Sequence, residues 1–155
     1  MADGFVRDQT ACEHDLEVRK TALTMPSLGR VLVVDDEPQV GAMLQEVLTE
    51  LGYVVKHARS GAEALQIAPV FEPDVVLLDL QMPGMSGVEV LDHLRRDHRD
   101  VPVVILSGNQ DLGTARRTLR SGAFDYVPKP FTIDVLARVV AAAAAMPRRR
   151  GPRGP

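Results

Sequence analysis

An alternation repeated five times constrains this chain more than any other feature. A short apolar run stops at a polar residue, and a stretch with apolar residues at helical spacing follows. The first run, Val31-Leu32-Val33-Val34, stops at Asp35-Asp36-Glu37. Pro38 fits the first position of a helix. Val40, Met43, Leu44, Val47, Leu48 and Leu51 then form one apolar stripe, and Gly52 suits the helix end. Residues 53–57 read as a second strand. Ser60-Gly61-Ala62-Glu63 has the capping-box pattern and opens a short helix to about Ala68. Val75 to Leu78 are four consecutive aliphatics, the pattern of a strand buried on both faces; the run ends at Asp79, with Pro83-Gly84 close behind. Ser86-Gly87-Val88-Glu89 is a second capping box, with Val88, Leu91 and Leu94 as its apolar face and a polar fade over residues 95–100. A fourth strand is expected over 101–106, with Pro102 tolerable near its start, ending at Ser107-Gly108. Residues 111–120 form a weakly amphipathic helix, 124–127 a fifth strand before Pro128-Lys129-Pro130, and 132–145 the last helix.

Strict alternation of this kind implies an α/β fold: a parallel sheet, helices on both faces and right-handed crossovers. A chain of 155 residues suits one such domain with tails. The division expected is an extension over 1–28, a folded unit over 29–146 and an Arg/Pro/Gly tail over 147–155, both ends lacking the pattern of a packed segment. The net charge of −3 hides an asymmetry, because four Arg lie in the last eight residues and residues 1–147 sum to −7. An acidic body argues against nucleic-acid binding by the folded unit. The single Cys12 excludes an intramolecular disulfide and suits a reducing cytosol. No apolar run approaches a membrane span, and Met1-Ala2-Asp3-Gly4 does not open a secretory signal. A cytoplasmic protein without membrane contact is expected.

In a parallel sheet all carboxyl ends lie on one edge, where open α/β sheets place their chemistry. Asp35, Asp36, Glu37, Asp79, Ser107 and Lys129 would therefore meet in one crevice. An ionised carboxylate is costly to bury unless paired, so Asp79 is not there for packing. Several carboxylates in one site raise each other's proton affinity or demand a cation. Oxygen ligands with water suit Mg²⁺, which favours one or two carboxylates and a phosphate. A hydroxyl and a lysine opposite suit a transferred phosphoryl group, so the chemistry suggested is phosphorylation of Asp79.

Each residue also has a plainer reading. Asp35-Asp36-Glu37 alone is more often a charge cluster favoured by a helix dipole. Ser107 alone is a turn residue, Lys129 a solvated lysine and Tyr126 a strand aromatic. Lys129 gains weight because Lys20 and Lys56 are the only other lysines. His93 and Asp97 read as an exposed helix face rather than a metal pair, and His57 and His98 as surface. Arg116, Arg117 and Arg120 stand open between a solvated face and a partner surface. The tail arginines read as a solvated end, since four charges give only modest phosphate affinity.

Four segments taken together resemble the receiver domain of bacterial two-component response regulators, from about Arg30 to Ala145. They are Val33-Val34-Asp35-Asp36-Glu37-Pro38, Leu78-Asp79-Leu80-Gln81-Met82-Pro83-Gly84, Leu106-Ser107-Gly108 and Gly122-Ala123-Phe124-Asp125-Tyr126-Val127-Pro128-Lys129-Pro130-Phe131. Any one is weak; four in order, each at a strand end, are specific. The resemblance implies a flavodoxin-like (βα)5 doubly wound sheet with strand order 2-1-3-4-5. It makes Asp79 the phosphoacceptor, taking a phosphoryl group from a kinase phosphohistidine. Asp36, helped by Asp35, would hold Mg²⁺ (or Mn²⁺) with Asp79 and the backbone carbonyl of Gln81. Ser107 and Lys129 would contact phosphoryl oxygens, Tyr126 would be the aromatic that turns inward as Ser107 moves, and the Lys129–Pro130 bond would be cis. Gln81 and Asn109 occupy the positions that tune acyl-phosphate lifetime, and two amides there imply slow to intermediate self-dephosphorylation. The partners implied are a sensor histidine kinase or histidine phosphotransfer protein, and a downstream protein on the surface of the fourth helix, fifth strand and fifth helix. A phosphorylation-dependent dimer is one form the resemblance allows. Such a module catalyses only its own phosphorylation and dephosphorylation.

Other classes fit less well. A haloacid-dehalogenase-like Mg²⁺ phosphatase wants Asp-x-Asp after the first strand, where this chain has adjacent Asp35-Asp36. A flavodoxin wants a Ser/Thr/Gly phosphate loop there, and three acids would repel the flavin phosphate. Within the leading class, the expectation is a stand-alone regulator or phosphorelay intermediate, with a receiver of a longer DNA-binding or ATPase-type regulator as the alternative.

Overall fold

The computed structural model describes residues 27–108 and 112–148. The extension through residue 26, Asn109 and residues 149–155 of the expected tail lie outside the described residues; of the tail arginines, Arg148 is not a solvated end but donates to the Pro73 carbonyl and pairs with Asp74. Five strands, β1 (Arg30–Val34), β2 (Val54–Ala58), β3 (Val75–Asp79), β4 (Val103–Ser107) and β5 (Asp125–Pro128), alternate with five helices. These are α1 (Pro38–Glu50), α2 (Gly61–Phe71), α3 (Gly87–Asp97), α4 (Leu112–Arg120) and α5 (Ile133–Ala144). All strand pairs are parallel, in the order β2-β1-β3-β4-β5. That is the doubly wound order the resemblance implies.

β3 and β4 are buried at every residue, as continuous aliphatic runs in a central parallel sheet should be. Alternate residues feed two cores. Val31, Val33, Val75, Leu77, Val104 and Leu106 pack with Leu44 and Leu48 of α1 and Leu136 and Val140 of α5. Leu32, Val34, Val76, Leu78, Val103 and Ile105 pack with Ala64, Ala68 and Phe71 of α2 and Val90, Leu91 and Leu94 of α3.

Several local expectations shift. On α1 the stripe is covered unevenly: Leu44 and Leu48 are fully buried and Val40 and Val47 partly, while Met43 and Leu51 are 45% and 40% exposed. The helix closes with Gly52 N–H on the Thr49 carbonyl and Tyr53 N–H on the Leu48 carbonyl, a Schellman pair. α2 does not stop at Ala68. It runs through the exposed Pro69 to Phe71, whose ring is buried, and Glu72 then takes the left-handed conformation with its N–H on the Ala68 carbonyl. On α3 the buried face is Val90, Leu91 and Leu94; Val88 lies on its flank and is 41% exposed. Val101 and Pro102 precede β4 rather than opening it, and the Pro102 carbonyl accepts Val76 N–H. Arg95 is not part of a solvated fade: its guanidinium donates to the carbonyls of Arg99 and Val101.

Candidate functional site

The carboxyl edge gathers the strand-end residues through register. Val34 pairs with Leu78, so the next residues along each chain, Asp35 and Asp79, stand side by side. Asp79 pairs with Leu106, which puts Ser107 one step further out on β4, fully buried. Ser107 pairs with Pro128, and Lys129 N–H donates to the Ser107 carbonyl at 2.8 Å, bringing the lysine to the same edge. The Lys129–Pro130 peptide bond is cis.

The hydrogen bonds fix the carboxylates individually. Asp35 is 1% exposed; Oδ1 accepts Glu37 N–H at 2.9 Å and Oδ2 accepts from Lys129 Nζ at 3.0 Å. Asp79 is 4% exposed; Oδ1 accepts Gln81 N–H at 3.1 Å and Oδ2 lies 3.6 Å from Lys129 Nζ. Asp36 is half-buried, and one carboxylate oxygen from each of Asp35, Asp36 and Asp79 lies within 4.8 Å of the others. The backbone around Asp79 is tight. A Cβ on Gly87, at the start of α3, would stand 2.5 Å from the Asp79 carbonyl oxygen, so only glycine lets α3 approach this closely.

Electrostatics follow from this crowding. Burial, the leading cause, and the charges of Asp35 and Asp36 raise the Asp79 pKa; Gln81 N–H and Lys129 act against them and do not prevail. Burial works against the Lys129 ammonium, but its hydrogen bond to Asp35 and the charges of Asp79, Asp35 and Glu37 outweigh it, so its pKa is raised. One ammonium thus serves two buried acids with a third beside them. Asp35, Asp36 and Asp79 offer only hard oxygen donors, the donor set that suits Mg²⁺ and does not suit softer metals. Among the described residues, this is the one cluster of acids and histidines close enough to share an ion.

Other expected site residues fall differently. Gln81 is exposed, in the loop past Asp79. Tyr126 pairs with Ile105 and is half-buried against the core beneath α2 and α3, three residues short of Lys129. Asn109 lies outside the described residues. His93 contacts Arg96 through Nδ1 at 3.1 Å and joins no acid cluster. His57 corrects the surface reading. It is half-buried, with Nε2 2.8 Å from the Asp35 carbonyl oxygen. The signal available was its position two residues after Val55, on the same side of β2.

Comparison with known proteins agrees with this architecture. PrrA of Mycobacterium tuberculosis, a transcriptional regulatory protein, is 44% identical over 131 residues, covering 84% of this chain and 54% of PrrA. The regulatory protein AtoC of Escherichia coli is 39% identical over 116 residues, 75% of this chain and 25% of AtoC. The chain thus spans about half or a quarter of the curated relatives it matches. The receiver domain of Francisella response regulator 1452 superposes with a TM-score of 0.69 at 34% identity, over 74% of this chain and 96% of that domain. The family model for the response regulator receiver domain matches residues 31–141, from inside β1 into α5. This chain belongs to the receiver-domain family of two-component response regulators.

Proposed function

We propose that Asp79 is the phosphoacceptor of this receiver. The observation that carries the reading is the convergence of Asp35, Asp36 and Asp79 with Lys129 at one sheet edge. A carboxylate oxygen of Asp79 forms the new O–P bond as the P–N bond of a phosphohistidine breaks, and the electron pair returns to the imidazole nitrogen. Asp35, Asp36 and Asp79, with the Gln81 carbonyl, are the residues that would hold Mg²⁺ (or Mn²⁺). Bound there, the ion would supply charge neutralisation for the transferring phosphoryl oxygens. Lys129, shared between Asp35 and Asp79, is near enough to pair with a phosphoryl oxygen once Asp79 carries the group. Ser107 donates its hydroxyl to another. Tyr126 turns inward behind Ser107 and carries the change to the surface.

The phosphodonor is a sensor histidine kinase or a histidine phosphotransfer protein. The output face is α4, β5 and α5, where Leu112 and Leu119 are 72% and 44% exposed beside Arg116, Arg117 and Arg120, and where Ile133 and Val135 are also exposed. A downstream protein, or a second phosphorylated copy, binds there. The greater length of the relatives favours a second reading, a receiver controlling a DNA-binding or ATPase-type output. In either case the unit over 29–146 catalyses only its own phosphorylation and dephosphorylation.

Incubation with Mg²⁺ and acetyl phosphate tests the reading. Intact mass should rise by one phosphoryl group, and Asp79→Asn should abolish the gain. Continued modification of that variant would refute the assignment. Decay of the phosphorylated form, run beside Gln81→Ala, reads the lifetime; loss within seconds would count against the two amides as slow tuners.

A further inference from the structure

Asp35 is held at every polar group it has, and one of its holders has no part in the proposed chemistry. Its N–H donates to the Ala58 carbonyl at 3.1 Å, and its two carboxylate oxygens accept from Glu37 N–H and Lys129. Its carbonyl faces His57 Nε2 at 2.8 Å. A carbonyl only accepts, so Nε2 carries the hydrogen. That nitrogen points at backbone and is not offered to an ion.

The imidazole reaches this position because of what faces it. His57 and Val55 project from the same side of β2, toward α1. There Gly41 occupies a buried position in the first turns of the helix. A Cβ on Gly41 would stand 2.0 Å from the His57 ring Cε1 and 2.1 Å from Nε2, so the ring rests on a bare Cα. A glycine inside a helix is normally unfavourable relative to alanine. Here it admits a ring that joins the edge strand β2, the start of α1 and the loop of Asp35 and Asp36 that leads from β1 into α1.

We infer that His57 is a positioning residue for the acid pair: seated on Gly41, its imidazole donates to the Asp35 carbonyl and fixes where the Asp35 and Asp36 carboxylates stand toward a divalent cation. The inference rests on the Mg²⁺ reading given under Proposed function. Hydrogen bonds that orient a metal ligand commonly govern metal affinity, and here the bond holds the ligand's own backbone carbonyl. A residue that only filled space would affect stability and leave affinity alone.

Mg²⁺ titration of the full chain by calorimetry separates these, with melting in the absence of Mg²⁺ as the second readout. His57→Ala should weaken Mg²⁺ binding about tenfold. His57→Gln keeps a side-chain N–H donor and should recover most of the affinity. Gly41→Ala should weaken binding by displacing the ring, yet have no further effect on affinity once His57 is alanine. Melting should show a reversal of sign: Gly41→Ala lowers the midpoint of the parent and raises that of His57→Ala, where the space is free and alanine is the better helix residue. His57→Ala binding within about twofold of the parent, whatever its melting point, overturns the inference. If His57→Ala does not fold, the remaining pair decides: weak Gly41→Ala with near-parental His57→Gln supports it, and parental affinity in Gly41→Ala overturns it. Asp36→Asn is the control for the underlying reading. If it binds Mg²⁺ as the parent does, the metal site itself is wrong and the inference falls with it; if it binds weakly while the His57 and Gly41 variants do not, only the inference falls.

Discussion

Strand β3 has a buried aspartate at each end, and the two are treated in opposite ways. Asp74, just before the strand, is 9% exposed; Asp79, its last residue, is 4% exposed. At the amino end Asp74 Oδ2 accepts Arg30 N–H at 2.6 Å and Oδ1 pairs with the Arg148 guanidinium at 2.6 Å. Arg148 is itself steadied by the Pro73 carbonyl, and Arg30 by the Phe71 carbonyl, each at 2.9 Å. At the carboxyl end Asp79 has one backbone N–H and a lysine it shares, with two more acids beside it. Burial is alike at both ends. The company differs: donors neutralise Asp74, whereas at Asp79 one N–H and a shared lysine do not offset burial and the charges of Asp35 and Asp36, leaving it in need of a proton, a cation or a covalent partner. A buried charge points to chemistry when its neighbours fail to satisfy it, and to architecture when they succeed.

Three substitutions sharpen that contrast, and the largest effect belongs to the lysine. Lys129→Met removes the ammonium that serves both Asp35 and Asp79, leaving buried acids unpaired. It should lose about 3 kcal/mol in urea unfolding, and added Mg²⁺ should restore a larger share of stability than it gives the parent. No change in the denaturation midpoint would mean that the acids are not strained. Asp74→Ala comes next. It removes a charged acceptor from Arg30 N–H and Arg148 and should cost about 2 kcal/mol, less if Arg148 swings into water. Phosphorylation by acetyl phosphate should survive in the folded variant; its loss would show that the two ends of β3 do not act separately.

The contrast between these aspartates was only half legible in the sequence. Asp79 stands out because it ends an apolar run, and the same local signal marks Asp35, Ser107 and Lys129. Strand ends report on an edge without knowledge of any distance, which is why the fold and the gathering of these residues could be read early. Asp74 carries no such mark, since its partners lie 44 and 74 residues away in sequence. His57 is similar: its partner carbonyl is 22 residues away and depends on the β1–β2 register. Helix faces were misjudged where spacing alone decided. Met43, Leu51 and Val88 fit apolar stripes, but α1 buries Gly41, Leu44 and Leu48, and α3 turns Val90 inward instead. The helix expected to end at about Ala68 runs on because Phe71 is buried, which carries α2 about one turn further.

The smallest effect is the most discriminating, because its sign is unusual. Asp79→Asn should stabilise the protein at neutral pH by about 1 kcal/mol, the exchange of function for stability common at strained sites. Burial, then Asp35 and Asp36, hold the Asp79 carboxyl above the usual carboxylate range. The folded state therefore binds that proton more tightly than the unfolded chain. As pH rises through the ordinary range and on to the raised value, the unfolded chain releases its proton first, and stability falls. Above the raised value the whole penalty is present, and asparagine escapes it. The advantage of Asp79→Asn should shrink as pH falls through the raised value and vanish below the ordinary range. Lys129 does not blur this acid limb. Its pKa is raised, so its contribution is fully present below the ordinary lysine range and is lost only as pH climbs through the raised value. Urea midpoints of parent and variant across about pH 4 to 8 check both sign and trend. An Asp79→Asn variant less stable than the parent at neutral pH would sink the contrast: Lys129 would then outweigh burial and repulsion, and Asp79 would be held as Asp74 is.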